Sequence, residues 1–240
     1  MNPWYLDRPI AHRGFHIDVS VPENSLLAFT KAMEKNYPIE LDVRLSSDEH
    51  VLVFHDENLE RMTGVKKYIT EQTLKELKEC RLDGVEQEIP TLKEVLELVR
   101  GTVPLVIELK AFNFDGVLEE KVYQLLEKYS GEFSIQSFDP RTLEWFYRKA
   151  PKITRGLLSN SFKGVKLGLH KKVALKYFFL IKKARPDYIG YAWDELDALG
   201  IACIRRFTDI PIVAWTVTNP DQRDRIQPYC HNIIFENFDV

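Results

Sequence analysis

The chain is poor in cysteine. Cys80, Cys203 and Cys230 stand alone among 240 residues, with no Cys-x-x-Cys pair. That pattern supports neither a disulfide framework nor a thiolate zinc site, and it suits a reducing compartment, so a cytoplasmic location is expected. Long apolar runs are also missing. None approaches the roughly 18–20 residues that cross a bilayer. The opening Met1-Asn-Pro-Trp-Tyr-Leu-Asp has neither the basic nor the apolar stretch of a secretory leader. No Ser/Gly-rich linker, low-complexity tract or internal repeat divides the sequence, which reads as one domain over 1–240. Acidic residues vanish locally. Between 145 and 186 there are 12 Lys or Arg and no Asp or Glu, against 21 basic and 36 acidic residues elsewhere.

What is present is an alternation of short, β-branched apolar runs with stretches of helical period. Strands are expected at 9–13, 38–45, 103–110, 133–138, 153–158, 187–191, 211–216 and 232–236. Helices are expected at 25–35, 91–99, 115–129, 139–149, 169–183, 194–206 and 220–227. Nearly continuous apolar strands suit parallel pairing buried on both faces. Eight strands alternating with helices predict an α/β fold, a closed (β/α)8 TIM barrel. The segment 51–90 is surplus to that count. It holds a strand-like Val51–His55 run, a polar turn and a short helix near 73–79, and reads as a small insertion after the second strand.

In such barrels chemistry sits at the C-terminal ends of the strands. Polar residues that are awkward to bury fall there repeatedly: His12-Arg13, Glu40 and Asp42, Glu108 and Lys110, Gln136, Trp215 and Glu236. Side chains at i and i+2 of a strand share a face, so Glu40 pairs with Asp42 and Glu108 with Lys110. Three carboxylates converging at one mouth repel one another without a cation, and oxygen-only donors favour Mg2+ or Ca2+. The plain alternative is a set of salt bridges to Lys110 and Arg13. His12 and His55 suit proton transfer, each at the end of an apolar run beside a charged residue. His16, His50, His170 and His231 read as structural. The first strand lacks the His-x-His of binuclear amidohydrolase barrels.

Taken together, His12-Arg13-Gly14, Pro22-Glu23-Asn24-Ser25, Ile39-Glu40-Leu41-Asp42-Val43, and His55-Asp56 with Leu59, Arg61, Thr63 and Gly64 closely resemble the glycerophosphodiester phosphodiesterase family. Ile107-Glu108-Leu109-Lys110, Gln136-Ser137-Phe138-Asp139 and Ala214-Trp215-Thr216-Val217 follow in family order. The resemblance covers essentially the whole chain. It implies hydrolysis of glycerophosphodiesters to sn-glycerol 3-phosphate and an alcohol. On that resemblance His12 and His55 are general acid and base, in either order. Glu40, Asp42 and Glu108 ligate one divalent cation, Mg2+ or Ca2+. Arg13 and Lys110 contact phosphate, and Gln136 and Trp215 line the pocket. Glu23, Asn24 and Asp56 support the site, Asp56 by orienting His55. Asn24 either caps the helix at Ser25 or orients the phosphate-binding loop. The nucleophile is water or the substrate's own 2-hydroxyl. One departure stands out: the eighth strand ends Phe235-Glu236-Asn237 where the family has Thr-Asp followed by Pro, so the shell on that side is expected to be rearranged.

The basic stretch 145–186 interleaves cations with apolar residues. It reads either as an outer helix with a solvated lysine face or as a contact with an anionic membrane surface, with Phe178-Phe179 inserting. The second reading goes with a lysophospholipase D-like activity on lysophospholipids. No nucleic-acid recognition motif accompanies the charge. A non-catalytic, phosphodiester-binding barrel is the remaining alternative.

Overall fold

A computed structural model describes residues 3–16, 18–110, 114–163 and 168–240. Nine strands are present among them: β1 (Ile10–Ala11), β2 (Ile39–Leu45), β3 (Val51–Val53), β4 (Leu105–Leu109), β5 (Phe133–Ser137), β6 (Thr154–Ser159), β7 (Tyr188–Ala192), β8 (Ile212–Val217) and β9 (Asn232–Phe235). All but β3 pair in parallel with two neighbours. β1 pairs with both β2 and β9, which closes the eight-stranded cylinder. The helices are α1 (Leu26–Glu34), α2 (Glu60–Thr63), α3 (Leu74–Lys78), α4 (Leu92–Val99), α5 (Val117–Leu126), α6 (Pro140–Lys149), α7 (Leu169–Lys176), α8 (Ile181–Ala184), α9 (Leu199–Phe207) and α10 (Pro220–Ile226). The fold is the expected TIM barrel.

Strand alternation sorts the side chains into layers. In β2, Ile39, Leu41 and Val43 join the large apolar layer between strands and helices, which turns Glu40 and Asp42 into the barrel. A smaller interior cluster fills its lower end: Ile10, Val106, Tyr188, Val213 and Ile234, with Tyr5 from a 3-10 turn at Trp4–Leu6 closing the bottom. The Tyr5 and Tyr188 rings lie 5.0 Å apart. Gly156 makes room for Tyr188, because a Cβ there would lie 2.3 Å from its ring.

The insertion hangs on β3, which pairs antiparallel with the last residues of β2, Val43–Leu45. It has its own apolar cluster of Leu52, Phe54, Leu59, Met62, Ile69, Leu77, Leu82 and Ile89. Burying side chains of this kind is worth about 1.5–3 kcal/mol each, enough to hold a roof of very short helices in place.

Several expected boundaries shift. The first strand is shorter than 9–13, because Arg13 and Gly14 adopt left-handed backbone and turn the chain away. The helix expected over 169–183 is broken into α7 and α8, with Phe178 left-handed between them. The ninth helix begins at Leu199 rather than 194, after a 3-10 turn at Trp193–Glu195. Residues 164–167 of the basic stretch lie outside the described residues.

Candidate active site

His12 follows β1 directly, and its backbone N–H donates to Phe235 O of β9 at 2.8 Å. Arg13 (φ +53°) and Gly14 (φ +84°) then reverse the chain. A Cβ on Gly14 would lie 2.9 Å from Ala28 backbone, so only glycine lets the turn pack against α1. The turn aims the Arg13 N–H at Glu40 Oε2, 3.1 Å away. The Arg13 side chain places Nη1 2.8 Å from Glu23 and Nε 3.2 Å from Asp42 Oδ2.

The register β2–β4–β5 sets Asp42 beside Glu108 and Glu108 beside Gln136. Glu40, Asp42 and Glu108 are buried and offer oxygens within 4.8 Å of one another. Lys110 Nζ reaches Glu108 at 2.7 Å and Asp42 Oδ1 at 3.2 Å. Gln136 Nε2 donates to Glu40 Oε1 at 3.2 Å, and Tyr188 Oη donates to Gln136 Oε1 at 3.3 Å. Both expectations for the carboxylates therefore coexist, salt bridges and a convergent oxygen cluster. Three acids face two cations here. Burial, then Asp42 and Glu108, pushes the Glu40 carboxyl well above its ordinary range. Burial opposes ionisation of Asp42 too, but Lys110 and Arg13 outweigh it and hold that carboxyl low. Asp42 Oδ1 still lacks a hydrogen-bond partner of proper geometry. A buried, all-oxygen, charge-frustrated trio of this kind fits a hard divalent cation.

The two histidines are built alike. His12 Nδ1 lies 2.5 Å from Glu236 Oε2. His55 Nδ1 lies 2.7 Å from Asp56 Oδ1. Each imidazole is thus held through Nδ1 by a carboxylate, which leaves Nε2 for the pocket. Burial lowers the His12 pKa and pushes that of His55 to about 4. The contact expected between Asp56 and His55 is present. Asp56 also receives Arg61 Nε of α2 at 2.6 Å, and Arg61 reaches Glu23 at 2.7 Å. A continuous chain of ion pairs therefore runs His55–Asp56–Arg61–Glu23–Arg13–Asp42, tying the roof to the loop after β1.

Asn24 does not cap the helix at Ser25. Ser25 is itself the cap, accepting from Ala28 N–H. Asn24 is left-handed (φ +56°) and buried. It donates to Asp42 Oδ2 at 2.9 Å and accepts from Asp42 N–H at 3.3 Å, so it fixes the acid rather than the helix.

A cavity of about 200 Å3 opens between these groups, lined by His12, Arg13, Glu40, His55, Glu108 and Lys110 on its polar side and by Gln136 and Trp215. Its other wall is apolar: Phe138, Leu158 and Ile234. Phe138 sits edge-on to Trp215 at 5.5 Å and to Phe162 at 6.2 Å. Sequence reasoning left three groups without a site role. Phe138 and Arg61 stood inside quoted motifs, which was the available signal. His16 was set aside as structural, yet its Nε2 lies 3.6 Å from Glu236 Oε2. Nothing near His16 in sequence announces that, because only the β1–β9 pairing brings Glu236 to it.

Phe178 and Phe179 part company. Phe179 is exposed, but Phe178 is buried against Tyr191, so the pair cannot insert together. No helix among the described residues is long and apolar enough to cross a membrane.

Comparison with known proteins agrees with this geometry. Residues 12–238 match the family model described as the glycerophosphoryl diester phosphodiesterase family. A candidate glycerophosphodiester phosphodiesterase of Bacillus subtilis (strain 168), YhdW, is 31% identical over 229 residues, covering 91% of this chain and 89% of that protein. Human lysophospholipase D GDPD1 is 36% identical over 141 residues, 53% of this chain and 43% of the human protein. The structure of an Oleispira antarctica phosphodiesterase in complex with the product sn-glycerol-3-phosphate superposes with a TM-score of 0.80 at 21% identity, covering 96% of this chain and 92% of the other. The chain belongs to the glycerophosphoryl diester phosphodiesterase family and is an enzyme of that family.

Proposed function

We propose that the protein hydrolyses glycerophosphodiesters to sn-glycerol 3-phosphate and an alcohol, with one divalent cation and with His12 and His55 as acid and base. The observation that carries this reading is the convergence of both imidazoles, Glu40 and Glu108 on one small cavity, with Asp42 clustered beside the two glutamates. The product held by the Oleispira enzyme accords with it.

Glu40, Asp42 and Glu108 would hold Mg2+ or Ca2+, which when bound supplies positive charge beside the phosphoryl oxygens. Arg13 and Lys110 add fixed positive charge on the same side, where a phosphodiester gathers negative charge in its transition state. One imidazole removes the proton of the nucleophile, either water or the substrate's 2-hydroxyl. The other protonates the leaving oxygen. Glu236 and Asp56 hold the two rings through Nδ1, so that Nε2 does the transfer in each case. Gln136 orients Glu40, and Trp215 with Phe138 packs against the carbon skeleton. The family is enzymatic, and the non-catalytic alternative falls with that.

The test is turnover of glycerophosphocholine with Mg2+ or Ca2+. Activity is expected to disappear on adding EDTA. His12→Ala and His55→Ala should each lower kcat by about 10²-fold or more. Near-normal turnover in either variant refutes the assignment of that residue.

The apolar wall of Phe138, Leu158 and Ile234, with Trp215 beside it, favours a second reading, in which the same residues act on lysophospholipids. Phe179, 68% exposed beside Lys182 and Lys183, would contact an anionic surface. The human lysophospholipase D relative is in line with this. Co-sedimentation with anionic vesicles at low salt is expected to carry the wild-type protein down and to weaken in Phe179→Ser. A wild-type protein left in the supernatant removes the membrane contact.

A further inference from the structure

Three donors meet beside the catalytic cavity without belonging to the carboxylate trio. His12, His16 and Glu236 each offer a ligand atom, and these atoms lie within 4.8 Å of one another. They come from the end of β1, the loop that follows it, and the end of β9. His16 Nε2 is shielded from solvent and has no hydrogen-bond partner. It points at Glu236 Oε2 from 3.6 Å, too far for a hydrogen bond. That spacing is close to the roughly 3.3 Å that separates two ligands of one tetrahedral ion at about 2.0–2.1 Å. A buried donor aimed at an acceptor it does not reach calls for something between them.

We propose that His12, His16 and Glu236 form a second metal site, selective for a borderline transition ion such as Zn2+, and that its occupancy inhibits the enzyme. Donor chemistry separates the two sites. Glu40, Asp42 and Glu108 supply oxygen alone, which suits hard ions. Two imidazoles with one carboxylate are a zinc set, leaving a fourth position for water. The 2.5 Å contact between His12 Nδ1 and Glu236 holds a proton. The ion takes the place of that proton, which is released to solvent, and the contact lengthens as both atoms become ligands. A doubly charged ion on Nδ1 makes Nε2 of the same ring a far weaker base. The inhibitory half of the proposal rests on the acid–base role of His12. The binding half does not.

The experiment uses Co2+ as a spectroscopic probe for Zn2+, in excess Mg2+ so that the carboxylate trio is already filled. Wild-type protein is expected to develop the intense visible absorption of four-coordinate Co2+. His16→Ala should weaken Co2+ binding by about tenfold or more, since even a residue that only orients a ligand is worth that much. Zn2+ under the same conditions should inhibit the wild type, and His16→Ala should lose a much smaller fraction of its own zinc-free, Mg2+-supported turnover. His16→Gln serves if the alanine variant does not fold. Absence of the absorption in the wild type, or its full retention in the His16 variant, overturns the site. Binding that depends on His16 without any inhibition upholds the site and counts against His12 as the proton carrier.

Discussion

At the scale of single residues the site is a compromise between function and stability. Glu40 is buried among two other acids, and its carboxyl is held well above its ordinary range by burial and by Asp42 and Glu108. A carboxyl whose folded pKa is raised costs stability at every pH above its unfolded value of about 4.3. Glu40→Gln keeps the shape of the side chain, replaces one oxygen by an amide nitrogen and removes the charge. In EDTA this variant is therefore expected to melt a few degrees above the wild type at pH 7, with the gap closing as pH falls towards about 4. It should also lose Mg2+-supported turnover. A melting temperature equal to or below the wild type's across that range would contradict the account. The sequence made the acids, His12 and His55 legible because polar residues at the ends of apolar strands are conspicuous. It left open whether Arg13 and Lys110 direct their charge to the carboxylates or to phosphate, and both reach the carboxylates. It did not disclose that Asn24 serves Asp42 while Ser25 caps the helix. Those choices depend on left-handed backbone at Arg13 and Asn24, which no periodicity encodes.

At the scale of elements, local chemistry decides where helices begin. Thr91 accepts from Glu94 N–H, while Glu94 Oε2 accepts from the Thr91 N–H at 2.7 Å and from Lys78 Nζ at 2.7 Å. This capping box starts α4 and at the same time pins α3 of the insertion to the barrel. Burial opposes ionisation of Glu94, but Lys78 and the Thr91 donors outweigh it and depress its pKa. Such a group stabilises the fold above its unfolded pKa, and the contribution fades as pH falls through the folded one. Glu94→Gln should cost about 0.5–1 kcal/mol at pH 7 by urea denaturation. The cost should disappear in acid, where both proteins carry a neutral side chain. A pH-independent difference would instead point to lost packing. The caps at Ser25, Thr73, Thr91 and Asp139 are the kind of signal a sequence displays, which is why most helix starts fall within a residue or two of expectation. The break between α7 and α8 is not such a signal. Apolar residues continue through it, and Phe178 turns left-handed where its buried ring packs against Tyr191.

At the scale of the molecule, the barrel was readable because strand and helix alternate along the whole chain through eight strands, so errors at single boundaries do not disturb the count. The plug beneath it was not readable. Trp4–Leu6 is too short for any periodic pattern, yet Tyr5 closes the interior against Tyr188 and is anchored through its carbonyl by Asn232 Nδ2 at 2.8 Å. Tyr5→Ala is expected to cost about 3–5 kcal/mol, as for other large aromatic truncations. Guanidinium unfolding would show this as a lowered midpoint, and a loss under about 1 kcal/mol would mean the lower end of the barrel is closed by other groups. The same circular closure has a consequence in time. His12 is made 224 residues before the carboxylate that holds its ring, and they meet only where β1 zips to β9. Until that last strand arrives, the first histidine has no fixed tautomer and Glu40 has a neighbour out of position. A growing polypeptide is therefore silent towards its substrate until β9 and Glu236 have been made, and competence arrives in one step when the ring closes.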